Sequence, residues 1–360
     1  MKVIKGNVIC SHDKGYILQQ HEKVYYADKR LNNKRLIFSL KRSGKKAFIS
    51  RCGRLGERLI RSDIKAGAVF ENTLFFSDFG ICYEINLYSK KIVSKHVHRI
   101  GMRGPLIYCV ISGIDGFDDQ ICYGEYFGNE QRELVKIWHK VKGTLQWEVA
   151  LTFDAGLIRH IHGIYTDKWR NCVYILTGDH DRESAIWVAR NNFKSVHRLI
   201  FGDQQARCCQ MMVNKNGFLY CTDSEYEQNK LYDVIIHDIN KFEYEKKFIS
   251  NFDSSIIYGC STDDVFYFAT TVEPDKGGIN SIEVKVYYVD VKEKKVRVII
   301  KAVKDLLPMK LFQYGYARIV ESADTIAIPF CGVKKYDGRI VIMDKTEFMG
   351  HRDNTSGGLR

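Results

Sequence analysis

Residues 67–97 read GAVFENTLFFSDFGICYEINLYSKKIVSKHV, and this stretch decides the fold. It divides into four runs: GAVFEN (67–72), TLFFSD (73–78), GICYEINL (80–87) and KIVSKHV (91–97). Each run is too short for a stable helix and is rich in β-branched or aromatic residues, with turn-forming residues between the runs. That is the pattern of four antiparallel strands.

Working outward, the same unit recurs along the chain. GYILQQ, KVYYADKR and RLIFSLKR precede it, and LIYCVISG, QICYGEYF, LVKIWHKV and LQWEVALTF follow it. Then come HIHGIYTD, NCVYILTGD, SAIWVAR and VHRLIFGD, and after them CCQMMVNK, GFLYCTDS, KLYDVIIHD and YEKKFIS. SIIYGCST, DVFYFATT, IEVKVYYVD and KVRVIIKAV form a sixth group, and YGYARIVES, TIAIPFC and RIVIMDK a last one. Groups of about four strands at a period of about 45–50 residues predict an all-β propeller. A four-stranded unit cannot bury both faces alone, so its neighbours must stack, and closing the ring removes free sheet edges.

The count points to seven four-stranded blades, with six or eight as alternatives because the first group is irregular. The second strand of each group is the most apolar, as expected of a strand inside a blade. Helical periodicity is scarce. The best candidate, KAVKDLLPMKLF (301–312), is interrupted by Pro308. No linker divides the chain, so residues 1–350 are read as one propeller domain and 351–360 as a frayed tail.

Composition agrees with this reading. The 360 residues include 21 Tyr and 20 Phe against 4 Pro, a bias that suits pleated surfaces. The start, MKVIKGNVIC, lacks the apolar core of a signal peptide, and no apolar run approaches the roughly 18 residues of a membrane span. The expected compartment is the cytoplasm. The 11 cysteines contain no C-x-x-C pair and suit a reduced protein with buried thiols rather than a zinc ribbon or a disulfide framework. Oligomeric state is not legible.

The net charge of +12 is concentrated early, in residues 29–48 and 50–65. Such charge attracts acidic partners (nucleic acid, an anionic lipid face, an acidic glycan), or it solvates loops and keeps sheet edges unpaired. No nucleic-acid-binding signature accompanies it, which argues against a nucleic-acid partner. G-x-x-x-x-G-K-[ST], G-x-G-x-x-G and G-x-S-x-G are also absent, removing support for nucleotide hydrolysis, dinucleotide redox and serine-hydrolase chemistry.

Chemistry-bearing residues crowd residues 123–229, at the ends of successive strands. YGEYFGNE holds Tyr123 and Glu125; IRHIHG holds Arg159, His160 and His162; TGDHDRES holds Asp179, Asp181 and Glu183. GDQQAR holds Gln204, Gln205 and Arg207, and CTDSEYEQN holds Asp223, Glu225 and Asn229. Three readings compete. His160 and His162, alternating on one strand, could ligate a divalent metal together with a Gln, Gln204 foremost, or an Asp. Glu125 with Asp179, Asp181 or Asp223 could form a glycosidase pair. Arg103, Arg159 and Arg207, with the tyrosines, could clamp an anionic sugar, with Gln205, Asp223 and Asn229 completing the substrate contacts. Against these stand packed histidines and Asp residues that merely brace their own turns.

In their order, YGEYFGNE, IRHIHGIYTD, TGDHDRESAIW, GDQQAR and CTDSEYEQN resemble sialidase-like propellers with degenerate BNR or Asp-box repeats, found among bacterial surface-polysaccharide genes. The Asp-box turns here, HKVKGTLQW and ARNNFKSVH, keep only Gly143 and Trp147. The resemblance implies a propeller concerned with an acidic glycan or glycan precursor, binding it or acting as a sialidase-like hydrolase. It also implies an arginine triad drawn from Arg159, Arg207 and Arg318, and a Tyr123/Glu125 pair. Asp179 would serve with Glu125 in acid–base work. A weaker likeness, to oligogalacturonate-lyase-type propellers, implies a metal on His160, His162 and Gln204 or Gln205. The rival class is a non-catalytic propeller that scaffolds other proteins.

Overall fold

The computed structural model describes residues 1–262, 264–274 and 281–349, so the expected frayed tail lies outside the described residues. The chain forms seven antiparallel sheets arranged as the blades of a propeller. Each of blades 2 to 6 is built from four consecutive strands in chain order. Blade 2 is the stretch that opened the sequence reading: Gly67–Phe70, Thr73–Asp78, Ile81–Asn86 and Ile92–Val97.

Ring closure explains the irregular first group. Blade 1 begins at Asn7–His12, an inner strand that periodicity missed. The preceding Lys2–Lys5 leaves blade 1 altogether and pairs with Arg339–Asp344, with Val3 opposite Val341, as the outer strand of blade 7. The first and last strands of the chain thus share a sheet, which leaves no unpaired edge at the seam.

Burial follows strand position. The second strands Cys172–Gly178, Gly217–Thr222, Val265–Thr270 and Thr325–Cys331 are buried throughout, while the outer strand Glu243–Phe252 is largely exposed. Core clusters lie between blades: Ile17 and Val24 of blade 1 pack with Leu74 and Phe76 of blade 2.

The basic stretch around residues 41–61 does not form solvated loops, as the charge pattern allowed. It folds into two short helices, Gly44–Ser50 and Gly53–Ile60, inserted between blades 1 and 2. In 301–312, residues up to Val303 extend the strand Val296–Val303, and the helix is reduced to Met309–Phe312 after Pro308. Among the described residues, no helix is long and apolar enough to cross a membrane.

Candidate metal centre and axial pocket

Antiparallel connectivity puts two sets of connections at one end of the ring. These are the turns between second and third strands and the crossovers from one blade to the next. Every polar cluster singled out in the sequence lies in one of these connections or beside it. In blade 4 the inner strand His160–Asp167 pairs with Cys172–Gly178, with His160 opposite Gly178. Asp179 therefore stands opposite Arg159, one step past the ladder. Blade 5 repeats this: Cys208 lies opposite Thr222, so Asp223 faces Arg207, whose carbonyl accepts from Asp223 N at 2.9 Å.

The inner strands of these two blades also carry a bulge near their start. His162 in blade 4, three residues past Arg159, and Cys209 in blade 5, two past Arg207, have no partner in the ladder, and Ile9 and Ile257 are likewise unpaired in blades 1 and 6. A bulge re-aims the extra side chain, and bulges recur beside active sites. Here they turn an imidazole and a thiol towards the pocket. Gly178 makes the approach possible, because a Cβ there would lie 2.9 Å from Arg207 Cγ and 3.0 Å from His162 Cε1.

The centre is built on three side chains. His160 Nδ1 donates to Phe127 O at 3.0 Å and His162 Nδ1 donates to Cys208 O at 3.1 Å. A carbonyl can only accept, so in the neutral form each ring carries its proton on Nδ1 and presents an Nε2 lone pair. Those two Nε2 atoms are 3.0 Å apart, and Asp179 Oδ1 lies 3.3 Å from one and 3.4 Å from the other. Burial keeps His160 towards its neutral form. Burial opposes ionisation of Asp179, yet its carboxyl is held well below the usual range. Ion pairs with Arg159 (2.7 Å) and Arg207 (3.3 Å) favour the same charged state.

These three side chains could hold a cation between them. Donors about 2.1 Å from an octahedral ion are about 3.0 Å apart when adjacent, close to the spacing here. Backbone carbonyls that fix the tautomer are the usual outer partners of metal-bound histidine. The group fits a divalent metal.

A second convergence, His162, Cys209 and Asp223, shares His162 with the first. Its thiol is pushed well above the normal range by burial and donates to Asp223 Oδ2 at 3.2 Å, so it is a poorer ligand set.

The other expected residues divide. Arg207 joins the centre, reaching Asp179, Glu225 (3.2 Å) and Asp223 (3.5 Å). Gln204 is close but occupied: its amide donates to Asp179 O at 3.0 Å and Asp181 at 2.9 Å, and its carbonyl accepts from Ser224. Gln205 instead bonds Glu227 and Tyr232, and Asn229 braces the Ser224 turn.

Glu125 O accepts from Ile161 N at 3.0 Å, but the side chains of Tyr123 and Glu125 are committed elsewhere. Tyr123 is buried against His96 and His98, and the Glu125 carboxylate is spent on Lys136 N, Trp138 Nε1 and Arg99. Arg103 bonds the carbonyls of Ile60 and Arg61, and Arg318 bonds Asn7, Val8 and Lys65. The triad of Arg159, Arg207 and Arg318 therefore has only its first two members on Asp179.

Several pocket residues escaped the sequence reading. The Tyr126 ring packs 4.3 Å from that of His160, centroid to centroid. Lys65 lies 4.4 Å above the Tyr316 ring and 3.4 Å from Tyr258 Oη, without a carboxylate partner among the described residues. Glu273 has its pKa raised to about 7, by burial first and then by Asp223 and Glu225. The repeat itself could have found Glu273. Thr271 N bonds Ser255 O at 3.0 Å as Asp223 N bonds Arg207 O, so Glu273 occupies in blade 6 the place of Glu225 in blade 5.

Fold and site together define a seven-bladed β-propeller with a cluster of imidazole, carboxylate, guanidinium and phenol groups at one end. Its likeness to solved structures is at the level of fold. An oligogalacturonate lyase in complex with manganese matches with TM-score 0.58 at 8% identity, covering 95% of this chain and 90% of that one. A chain of the mitotic checkpoint complex matches with TM-score 0.53 at 6% identity, covering 95% and 93%. A putative TolB from Agrobacterium tumefaciens matches with TM-score 0.47 at 11% identity, covering 78% and 89%. No protein-family profile and no curated protein matches this chain.

Proposed function

We propose that this protein is a divalent-metal-dependent propeller that acts on an acidic sugar. The observation that carries the reading is the convergence of His160 Nε2, His162 Nε2 and Asp179 Oδ1 with both Nδ1 protons committed to carbonyls. The three side chains would hold the ion, leaving coordination positions for a ligand, as catalytic metal sites do. Bound there, a divalent ion supplies Lewis-acid polarisation of a carboxylate or hydroxyl oxygen.

Lys65, which has no carboxylate partner among the described residues, suits the sugar's negative charge, and the phenols of Tyr126, Tyr258 and Tyr316 supply stacking surface and hydroxyl donors. Glu273, half ionised near neutrality, is suited to accept a proton. In an elimination it would take the proton from the carbon next to the sugar's carboxylate. The electron pair then forms the double bond and the glycosidic oxygen leaves from the β position. Hydrolysis by a Tyr123/Glu125 pair is the weaker reading, because both side chains are committed to contacts outside this centre.

The test uses the full chain: elemental analysis as purified, thermal shift with Mn²⁺, and incubation with oligogalacturonate while following ultraviolet absorbance of an unsaturated uronate. Retained metal, stabilisation by Mn²⁺ and their loss in His160→Ala support the metal centre. A chain that neither retains metal nor responds to Mn²⁺ removes it. A metal-bound chain with no unsaturated product keeps the centre and rejects this elimination.

A further inference from the structure

The helix pair Gly44–Ser50 and Gly53–Ile60 has its polarity reversed. A surface helix normally turns apolar residues inward and charge outward. Here Arg58 is 0% exposed, donates to Phe312 O at 2.8 Å and pairs with Asp305 and Asp337. Arg54 pairs inward with Asp63 at 2.9 Å and Asp337 at 3.2 Å. Leu55 and Leu59, four apart and so on one face, are 54% and 44% exposed, and Phe48 of the first helix is 73% exposed. The second helix packs against Met309–Phe312, whose surroundings add Leu306 and Leu311, 91% and 56% exposed.

The rim of this apolar cluster is cationic. Lys41, Lys45, Lys46, Arg51, Arg61 and Lys310 are exposed, whereas Arg42, Arg54 and Arg58 are paired with carboxylates. Lysine is depleted at protein–protein interfaces, whereas apolar side chains ringed by lysine and arginine match the acyl–headgroup boundary of an anionic bilayer.

We propose that this hairpin docks the protein on an anionic lipid surface. Phe48, Leu55, Leu59 and Leu311 enter the boundary, and the lysines meet headgroup phosphates. The hairpin lies in the crossover from blade 1 to blade 2, at the same end as the metal centre, so docking turns that end towards the lipid. The inference is independent of the metal reading.

Sedimentation of the full chain with vesicles of phosphatidylcholine containing about one third phosphatidylglycerol, against phosphatidylcholine alone, tests it. Binding to the anionic vesicles that falls as salt rises is expected. Leu55→Gln/Leu59→Gln, which keeps good helix formers at exposed positions, is expected to weaken binding at least about ten-fold with unchanged thermal unfolding. Lys41→Ala/Lys45→Ala is expected to weaken it roughly five-fold per lysine. Absence of binding, equal binding to neutral vesicles, or full binding by the leucine variant overturns the proposal. So does a lipid-free dimer that the leucine variant splits, which would make the patch a protein interface.

Discussion

His160 Nε2 and His162 Nε2 face each other across 3.0 Å while each ring gives its Nδ1 proton to a carbonyl on a different blade, Phe127 O on blade 3 and Cys208 O on blade 5. Three adjacent blades therefore set the distance between two lone pairs. Without a cation the pair is repulsive, and with one it is bidentate. Mn²⁺ at about a hundred times its dissociation constant is expected to stabilise the protein by about 2.7 kcal/mol. Thermal unfolding with and without chelator measures this, and His162→Ala is expected to abolish the difference.

Arg207 is the counter-ion of three carboxylates, Asp179, Asp223 and Glu225, and is itself buried. Arg207→Gln removes the cation that the three share, leaving Asp179 its ion pair with Arg159, and is expected to cost about 3–5 kcal/mol in chemical denaturation. Adding Asp223→Asn is expected to recover part of the loss, since it removes a buried carboxylate that Arg207 had paired.

Glu273 has a folded-state pKa of about 7, raised above its unfolded value by burial and by Asp223 and Glu225. A raised carboxyl favours the folded state when protonated, so its penalty grows as pH climbs from the unfolded value towards 7 and then levels. Glu273→Gln is therefore expected to stabilise the protein above pH 7, on the order of 1–2 kcal/mol after solvent screening, and to be nearly neutral at low pH. Melting temperature against pH reads this directly, and an equal effect at all pH values would show that Glu273 does not titrate there.

His98 has its pKa lowered to about 3, by burial first and then by His96, and bonds Ser77 Oγ at 2.8 Å and Tyr123 Oη at 3.1 Å. A depressed histidine contributes stability that is present above its unfolded value and lost as pH falls towards 3. Wild-type stability is expected to decline progressively below about pH 6.5, and His98→Gln to flatten that decline. Parallel acid-unfolding curves for the two proteins would rule this out.

Removing residues 1–5 deletes the outer strand of blade 7 and bares the edge of Arg339–Asp344. The truncated chain is expected to melt several degrees lower and to aggregate on standing, both visible by calorimetry and light scattering.

The blade count and strand order were legible because four short strands at a fixed period leave a local signal, alternation between turns. The crowding of polar residues at strand ends was legible for the same reason. The seam was not, because Lys2–Lys5 finds Arg339–Asp344 only when the ring closes. The hairpin at 44–60 was hidden because its buried residues are arginines, whose partners Asp305 and Asp337 lie far along the chain. Strand alternation alone placed His160 and His162 on one face, while the structure uses a bulge at His162 to aim them together.

The sequence by itself determined that this chain is a propeller and which loops carry its ionisable groups, since both follow from interactions between near neighbours. Only the tertiary structure decided which of those groups meet. It joined Arg207 to Asp179 across two blades, brought Glu273 near Asp223, and left Glu125 bonded to Trp138 and Arg99. Blade stacking fixes these contacts through inter-blade packing and bulge geometry, which no local run of residues encodes.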